Sequence, residues 1–415
     1  MMAAISQFEL AAILLTLTAV FSWVNFKLGL MPRTIGLLVM GLGASLVVIG
    51  AEAAVPGLVD YEDLAGLVRQ VDFEGTVLHG MLAFLLFAGA LHVDIASLRS
   101  RAFTIGVMAT GGVVVSTAII GFGVWLAAGY MGIAISLPWA LVFGALISPT
   151  DPVAVLATLK EVNVSEDLQT VMTGETLFND GIGVVLFAVL VDAALGGSLD
   201  ALHLGQMFAV EAVGGAALGG LTGYVAYRAM RVIDDYSIEV LISLALVVGT
   251  YSMASRLGVS GPLAVVVAGL LVGHRGPRDA MSDETQRYLF GFWTLIDEML
   301  NSVLFLMIGL EVLVLRFESA FGWLMALAVP LVLIARLAAV SGPVLVIGLF
   351  RKFASGTIPV LTWGGLRGGI SVALALSLPE VAEKSALLAA TYAVVLFTLV
   401  VQGLSLRAVI KRVMR

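Results

Sequence analysis

Ser148-Pro149-Thr150-Asp151-Pro152 interrupts an apolar run that extends over about 138–159. The two prolines remove backbone donors and disrupt a helix around Thr150 and Asp151. Carbonyls freed at bilayer depth are tolerated only where protein or a cavity satisfies them. With the Thr150 hydroxyl and the Asp151 carboxylate beside them, such carbonyls are oxygen ligands for a hard cation. The plainer reading of Asp151 is a structural residue at a proline kink. Against it stands the cost of a charge at this depth, roughly 3 kcal/mol unless it is used or paired.

Outward from this break, apolar runs near bilayer length recur from end to end. Thirteen spans are expected, at about 8–26, 34–51, 76–93, 103–129, 138–159, 170–191, 206–230, 237–256, 261–273, 288–313, 319–350, 357–379 and 384–408. The ninth is short and the eleventh long, which predicts tilt or breaks there. The twelfth is interrupted by Gly364-Gly365-Leu366-Arg367-Gly368-Gly369. The two interrupted spans are the fifth members of spans 1–6 and 8–13, and they cross in opposite directions. Matching broken helices in inverted halves point to a transport site near the midplane. The expected fold is therefore an all-α polytopic membrane protein of about thirteen transmembrane helices. It is built from two inverted six-helix repeats, one about 8–191 and one about 237–408, with a connector helix at about 206–230 and no soluble domain.

Composition agrees. Of the 415 residues 60% are hydrophobic and 12% charged, about half the charge of a soluble domain. The net charge of −7 is spread along the chain, with no basic patch for nucleic acid. The absence of cysteine excludes disulfides and thiolate chemistry, and four scattered histidines make a His-built metal site improbable. The first residues carry no positive n-region and the run behind them no evident cleavage site, so a retained first span is expected. Sixteen of the 22 lysines and arginines fall in one set of connections, among them Lys27, Arg33, Arg99, Arg101 and Lys160. The other set holds Arg69, Arg256, Arg316 and Lys384, and Arg336 and Arg367 lie inside spans. This bias predicts an outside N-terminus and a cytoplasmic C-terminus in the cell membrane. The acidic connection from Val55 to Gly75 is read as a short interfacial helix.

The sixth span contains Gly174-Glu175-Thr176-Leu177-Phe178-Asn179-Asp180-Gly181. Glu175 and Asn179, like Thr176 and Asp180, stack at i,i+4 on one helix. Two carboxylates so close repel unless one is neutralised or a cation intervenes. Asn179 fits an interhelical hydrogen bond as well as it fits ion contact. Arg336 lies too deep to snorkel, and Arg367 sits in the second break. Arg336 is expected to pair with Glu175, while Arg367 and Asp151 offset the half-helix dipoles where the breaks cross. Asp151, Glu175 and Asp180 then outnumber the two arginines by one. That one, assigned to Asp180, must hold either a proton or a cation, which predicts electroneutral one-for-one exchange. Asp297, Glu298 and Asn301 either line an ion entrance or pair locally. Glu211 and Asp192 are placed near span ends. Gly215, Gly219 and Gly223 mark a close-packing face.

At Thr150-Asp151-Pro152-Val153-Ala154-Val155, Glu175-Thr176-Leu177-Phe178-Asn179-Asp180-Gly181 and Gly364-Gly365-Leu366-Arg367-Gly368-Gly369 the chain resembles the monovalent cation:proton antiporter-1 family of NhaP-type and NHE-type exchangers. The resemblance runs the length of the chain. It implies secondary antiport of a monovalent cation, Na⁺ and possibly Li⁺, against H⁺ without a cofactor. It also implies a homodimer in the bilayer and elevator-like movement of a core against a dimer scaffold. The core would come from about 103–191 and 319–408, the scaffold from the remainder. Thr150, Asp151, Thr176 and Asp180 would surround the transported Na⁺, with Asp180 as its carrier. Glu175, Asn179, Arg336 and Arg367 would form the supporting polar network. Many relatives have Ser where this chain has Thr176, and an acidic residue where it has Ala88.

Three other readings compete: a K⁺/H⁺ antiporter of the same fold, a cation channel, and an intramembrane aspartyl protease using Asp151 and Asp180. Internal ion pairs suit alternating access better than a pore. In the protease motif glycines precede the aspartate, whereas Gly181 and Gly183 follow Asp180.

Overall fold

The computed structural model describes every residue except 1–5, 30, 58–59, 152–154, 156–157, 160–161, 163, 197–200, 316–320, 350–352 and 415. Pro152, Val153, Ala154, Lys160 and Arg316, named above, lie outside the described residues, as do Arg351, Lys352 and Arg415 of the sixteen cationic residues. Helices make up most of the rest, and the principal ones are numbered in chain order. They are α1 Gln7–Leu28, α2 Arg33–Ala54, α3 Tyr61–Gln70, α4 Leu82–Leu91, α5 Ala102–Met131, α6 Leu137–Ile147, α7 Glu166–Ala194 and α8 Ala201–Met230. They continue with α9 Tyr236–Leu257, α10 Gly261–Arg275, α11 Asp283–Glu311, α12 Gly322–Gly348, α13 Thr357–Trp363, α14 Gly369–Leu376 and α15 Lys384–Val413. No strand occurs among the described residues.

Apolar helices in a bilayer need polar punctuation to end at the right depth, and local chemistry supplies it. Ser6 and Glu9 form a reciprocal capping box at the start of α1, and Gly29, at φ +58°, closes it. Asp235 accepts the amides of Ser237 and Ile238 to start α9, and Ser260 and Ser282 cap α10 and α11. Gly132 and Gly258 take left-handed geometry to end α5 and α9.

Helix occurs at all thirteen expected positions, and among the described residues ten segments are long and apolar enough to cross a membrane. The three that fall short are the two interrupted spans, split into short pieces, and α10, with 15 residues. The acidic connection carries α3 as expected. Asp60 caps it, and the Tyr61 hydroxyl donates to the Leu313 carbonyl at 2.8 Å, which pins it to the end of α11.

Packing sorts the helices into two groups. In one, α8 and α9 pack on α10, α10 on α4, α4 on α11, and α11 on α2, with α1 outside. In the other, α5 packs on α6 and α12, α6 on α7, and α15 on α12 and α14. The glycine face of α8 is intramolecular. A Cβ on Gly215, Gly219 or Gly223 would strike the α10 backbone at Ser260, Ala264 or Ala268. Gly219→Val is therefore expected to lower the thermal midpoint in detergent through a strain of about 1–3 kcal/mol. Gly220→Ala, where the space is open, should leave it within about 2 °C; equal effects of the two would refute this packing.

Candidate cation site at the crossed helix breaks

The two interruptions meet. α6 stops at Ile147 because Pro149 has no amide to extend it, and the chain is non-helical through Thr150 and Asp151. The Asp151 amide donates to the Leu366 carbonyl at 2.8 Å, tying one break to the other. Glycine permits the approach. A Cβ on Gly368 would overlap the Asp151 carboxylate, one on Gly183 the Pro149 ring, and one on Gly365 would lie 2.6 Å from Arg336 Nε.

Each break presents half-helix ends whose dipoles meet buried charges, and at α6 and α14 the charge comes from the opposite repeat. Arg367, with 0% of its surface exposed, donates through Nη1 to the carbonyls of Ser148 and Pro149 at the C-terminal end of α6. Asp151 lies against Gly368, which precedes the first residue of α14, so its carboxylate stands at that helix's positive end. Arg336 serves the end of α13, where Nε and Nη2 donate to the Leu361 carbonyl at 3.2 and 3.1 Å. The same guanidinium grips Glu175 with both terminal nitrogens, Nη2 at 3.0 Å. The expected Arg336–Glu175 pair is thus formed, buried and bidentate.

α7 brings its polar rows against this crossing. Asn179 Nδ2 donates to Thr150 Oγ1 at 2.9 Å, and the Thr150 amide donates to Asn179 Oδ1 at 3.4 Å. Asn179 thus makes an interhelical hydrogen bond. Thr150 Oγ1 and Thr176 Oγ1 lie 3.3 Å apart. Because Thr176 gives its proton to the Met172 carbonyl at 2.9 Å, its remaining lone pairs face Thr150. Asp180 follows one turn later. It is 7% exposed, and its carboxylate makes no hydrogen bond or ion pair among the described residues. Asp151 and Arg367 are the charges that act on it. The arrangement gathers two hydroxyls and two carboxylates around a buried site and leaves one carboxylate without a dedicated cation. Such a set suits a desolvated monovalent cation or a proton.

Several contributors carry no sequence signal. Thr398 accepts the Arg367 amide at 3.1 Å, and Gln402 donates to the Trp363 carbonyl at 3.2 Å. Both sit in an apolar run where either could be a packing residue. The Leu361 carbonyl is main chain and invisible to composition. On α11 the polar group pairs locally: Asn301 Nδ2 donates to Asp297 Oδ1 at 3.0 Å, and Glu298 meets Arg33 at 2.7 Å.

Known proteins share this architecture. The sequence model of the sodium/hydrogen exchanger transmembrane family matches residues 12–412. The Na⁺/H⁺ antiporter NhaP of Pseudomonas aeruginosa is 43% identical over 414 residues, which cover 98% of this chain and 96% of that one. The Na⁺/H⁺ antiporter NhaH of Halobacillus aidingensis is 37% identical over 378 residues, 89% of this chain and 91% of its own. The structure of the sodium proton antiporter MjNhaP1 from Methanocaldococcus jannaschii superposes with a TM-score of 0.76 at 18% identity, over 97% of both chains. That likeness establishes a shared fold.

Proposed function

The chain belongs to the sodium/hydrogen exchanger family, and from that membership we propose that it is a secondary antiporter exchanging Na⁺ for H⁺ one for one. The observation that carries the proposal is the Asp180 carboxylate, buried beside Thr150, Asp151 and Thr176 with no dedicated cationic partner. Glu175 is neutralised by Arg336, and Arg367 holds the α6 carbonyls and acts electrostatically on Asp180. With Asp151 charged, one further positive charge balances the site. A proton or a sodium ion supplies it, and binding of one excludes the other. Exchange at a single carboxylate then moves no net charge per cycle.

The same reading assigns the two packing groups to two moving parts. The second group holds both breaks and every site residue, so it is the core that would travel across the bilayer. The first, with the apolar outer face of α8, is the scaffold and supplies the surface for a homodimer. All thirteen helical positions then span, with the C-terminus in the cytoplasm, as the placement of Lys and Arg supports.

The deciding measurement is Na⁺-driven proton flux in proteoliposomes at clamped membrane potential. The rate at −100 mV should equal that at zero within error, although moving one net charge through that potential involves about 2.3 kcal/mol. A potential-dependent rate would refute the one-for-one cycle and leave the antiporter assignment standing. Substitution of K⁺ or Li⁺ in the same assay reads ion preference.

A further inference from the structure

Away from the crossed breaks, a cavity of about 180 Å³ lies between α1, α2, α3 and the C-terminal end of α11. Leu14, Leu17, Val48, Leu67, Val68 and Phe73 line it. Its position is built into the fold, because the Tyr61–Leu313 hydrogen bond holds α3 over it and the Ser45 hydroxyl bonds the carbonyls of Gly309 and Leu310. Ser45 is therefore spent.

One charged residue lines this apolar space. Glu311, the last residue of α11, is 8% exposed, and its carboxylate makes no hydrogen bond or ion pair among the described residues. Two groups lie within electrostatic reach of it: Arg69 on α3, and Tyr392, whose buried hydroxyl also lacks a partner. Arg69 is loosely held, 3.8 Å from Glu62 with 45% of its side chain exposed. It directly follows Leu67 and Val68 in the cavity wall.

The occupant is defined by these groups. It must be apolar along its length, because the walls are. It must end in a cation with N–H donors, because a buried carboxylate needs hydrogen bonds as well as countercharge. Beside that cation an anion would satisfy Arg69. α1 carries Ile13 in the cavity wall and leaves Leu15 and Val20 exposed, so a membrane component can enter sideways. We propose that the cavity binds a phospholipid with a primary ammonium headgroup, the ammonium on Glu311, the phosphate on Arg69 and an acyl chain between α1 and α11. A quaternary choline headgroup has no N–H to give and is the natural discriminator.

Native mass spectrometry of the delipidated full chain, titrated with phosphatidylethanolamine or phosphatidylcholine of identical acyl chains, tests this. One phosphatidylethanolamine per chain should be retained about tenfold more than phosphatidylcholine, the ratio expected when a charge-assisted hydrogen-bond set is lost. Glu311→Gln should bring the two lipids to equal retention, and Val48→Trp, which fills the cavity, should remove the preference as well. Because Arg69 is exposed, Arg69→Gln gives an independent variant that folds if Glu311→Gln does not, and a several-fold fall in phosphatidylethanolamine retention is expected. Equal retention of both lipids by the unaltered protein overturns the proposal. So does a preference unchanged in Glu311→Gln, or a phosphatidylethanolamine retention unchanged in Arg69→Gln.

Discussion

Replacing Asp180 with asparagine is expected to reduce Na⁺-driven proton flux in proteoliposomes by at least about 100-fold, the scale on which loss of a proton-transferring group is felt. The side chain keeps its shape and loses only the ability to exchange a proton for a cation. Because the carboxylate has no fixed partner among the described residues, nothing structural is broken. The thermal midpoint should stay within about 2 °C or rise slightly, since removing this charge relieves repulsion from Asp151. Flux near the unaltered level would move the carrier role elsewhere, with Asp151 next in line. Loss of flux together with loss of fold would instead show that Asp180 is structural.

The second large effect runs the other way, on stability first. Arg336→Ala leaves Glu175 buried without its cation and uncovers the Leu361 carbonyl at the end of α13. Breaking a buried ion pair from one side costs about 3–5 kcal/mol, enough to drop the midpoint by several degrees or abolish recovery of folded protein. Neutralising the stranded acid in the double variant Arg336→Ala/Glu175→Gln should restore a substantial part of that loss, the remainder reflecting the orphaned carbonyl. Thermal unfolding of the two single variants and the double one reads the coupling directly. Additive losses would mean that the pair contributes through packing alone.

The sequence announces the charged partners but not what they grip. Arg336 and Glu175 are legible because neither charge can lie at that depth alone, and the structure joins them. The breaks are legible because proline and glycine clusters in apolar runs have few other uses. Helix count is less so: α10 is short, and the broken spans resolve into pieces of 11, 7 and 8 residues, so length alone separates spanning from non-spanning segments poorly. What composition cannot carry is main-chain chemistry. The acceptors for both buried arginines include carbonyls, of Ser148, Pro149 and Leu361, and every residue type has one. Thr398 is missed for the related reason that a lone threonine in an apolar run usually bonds its own helix. It does so here as well, to the Val395 carbonyl, while also accepting from Arg367.

The exchange of countercharges between the breaks has a consequence for how the protein is made. Ser148 and Pro149 are inserted more than 200 residues before Arg367 is synthesised, and Glu175 waits 161 residues for Arg336. During that interval the first repeat sits in the membrane with bare carbonyls and an unmatched acid, and among the described residues no side chain of its own repeat meets them. Completion of the ion site is therefore a late event in biogenesis. A ribosome stalled before residue 336 would present a half-protein whose most polar elements are its least satisfied. Such an intermediate is expected to stay engaged with the insertion machinery until its polar groups are paired.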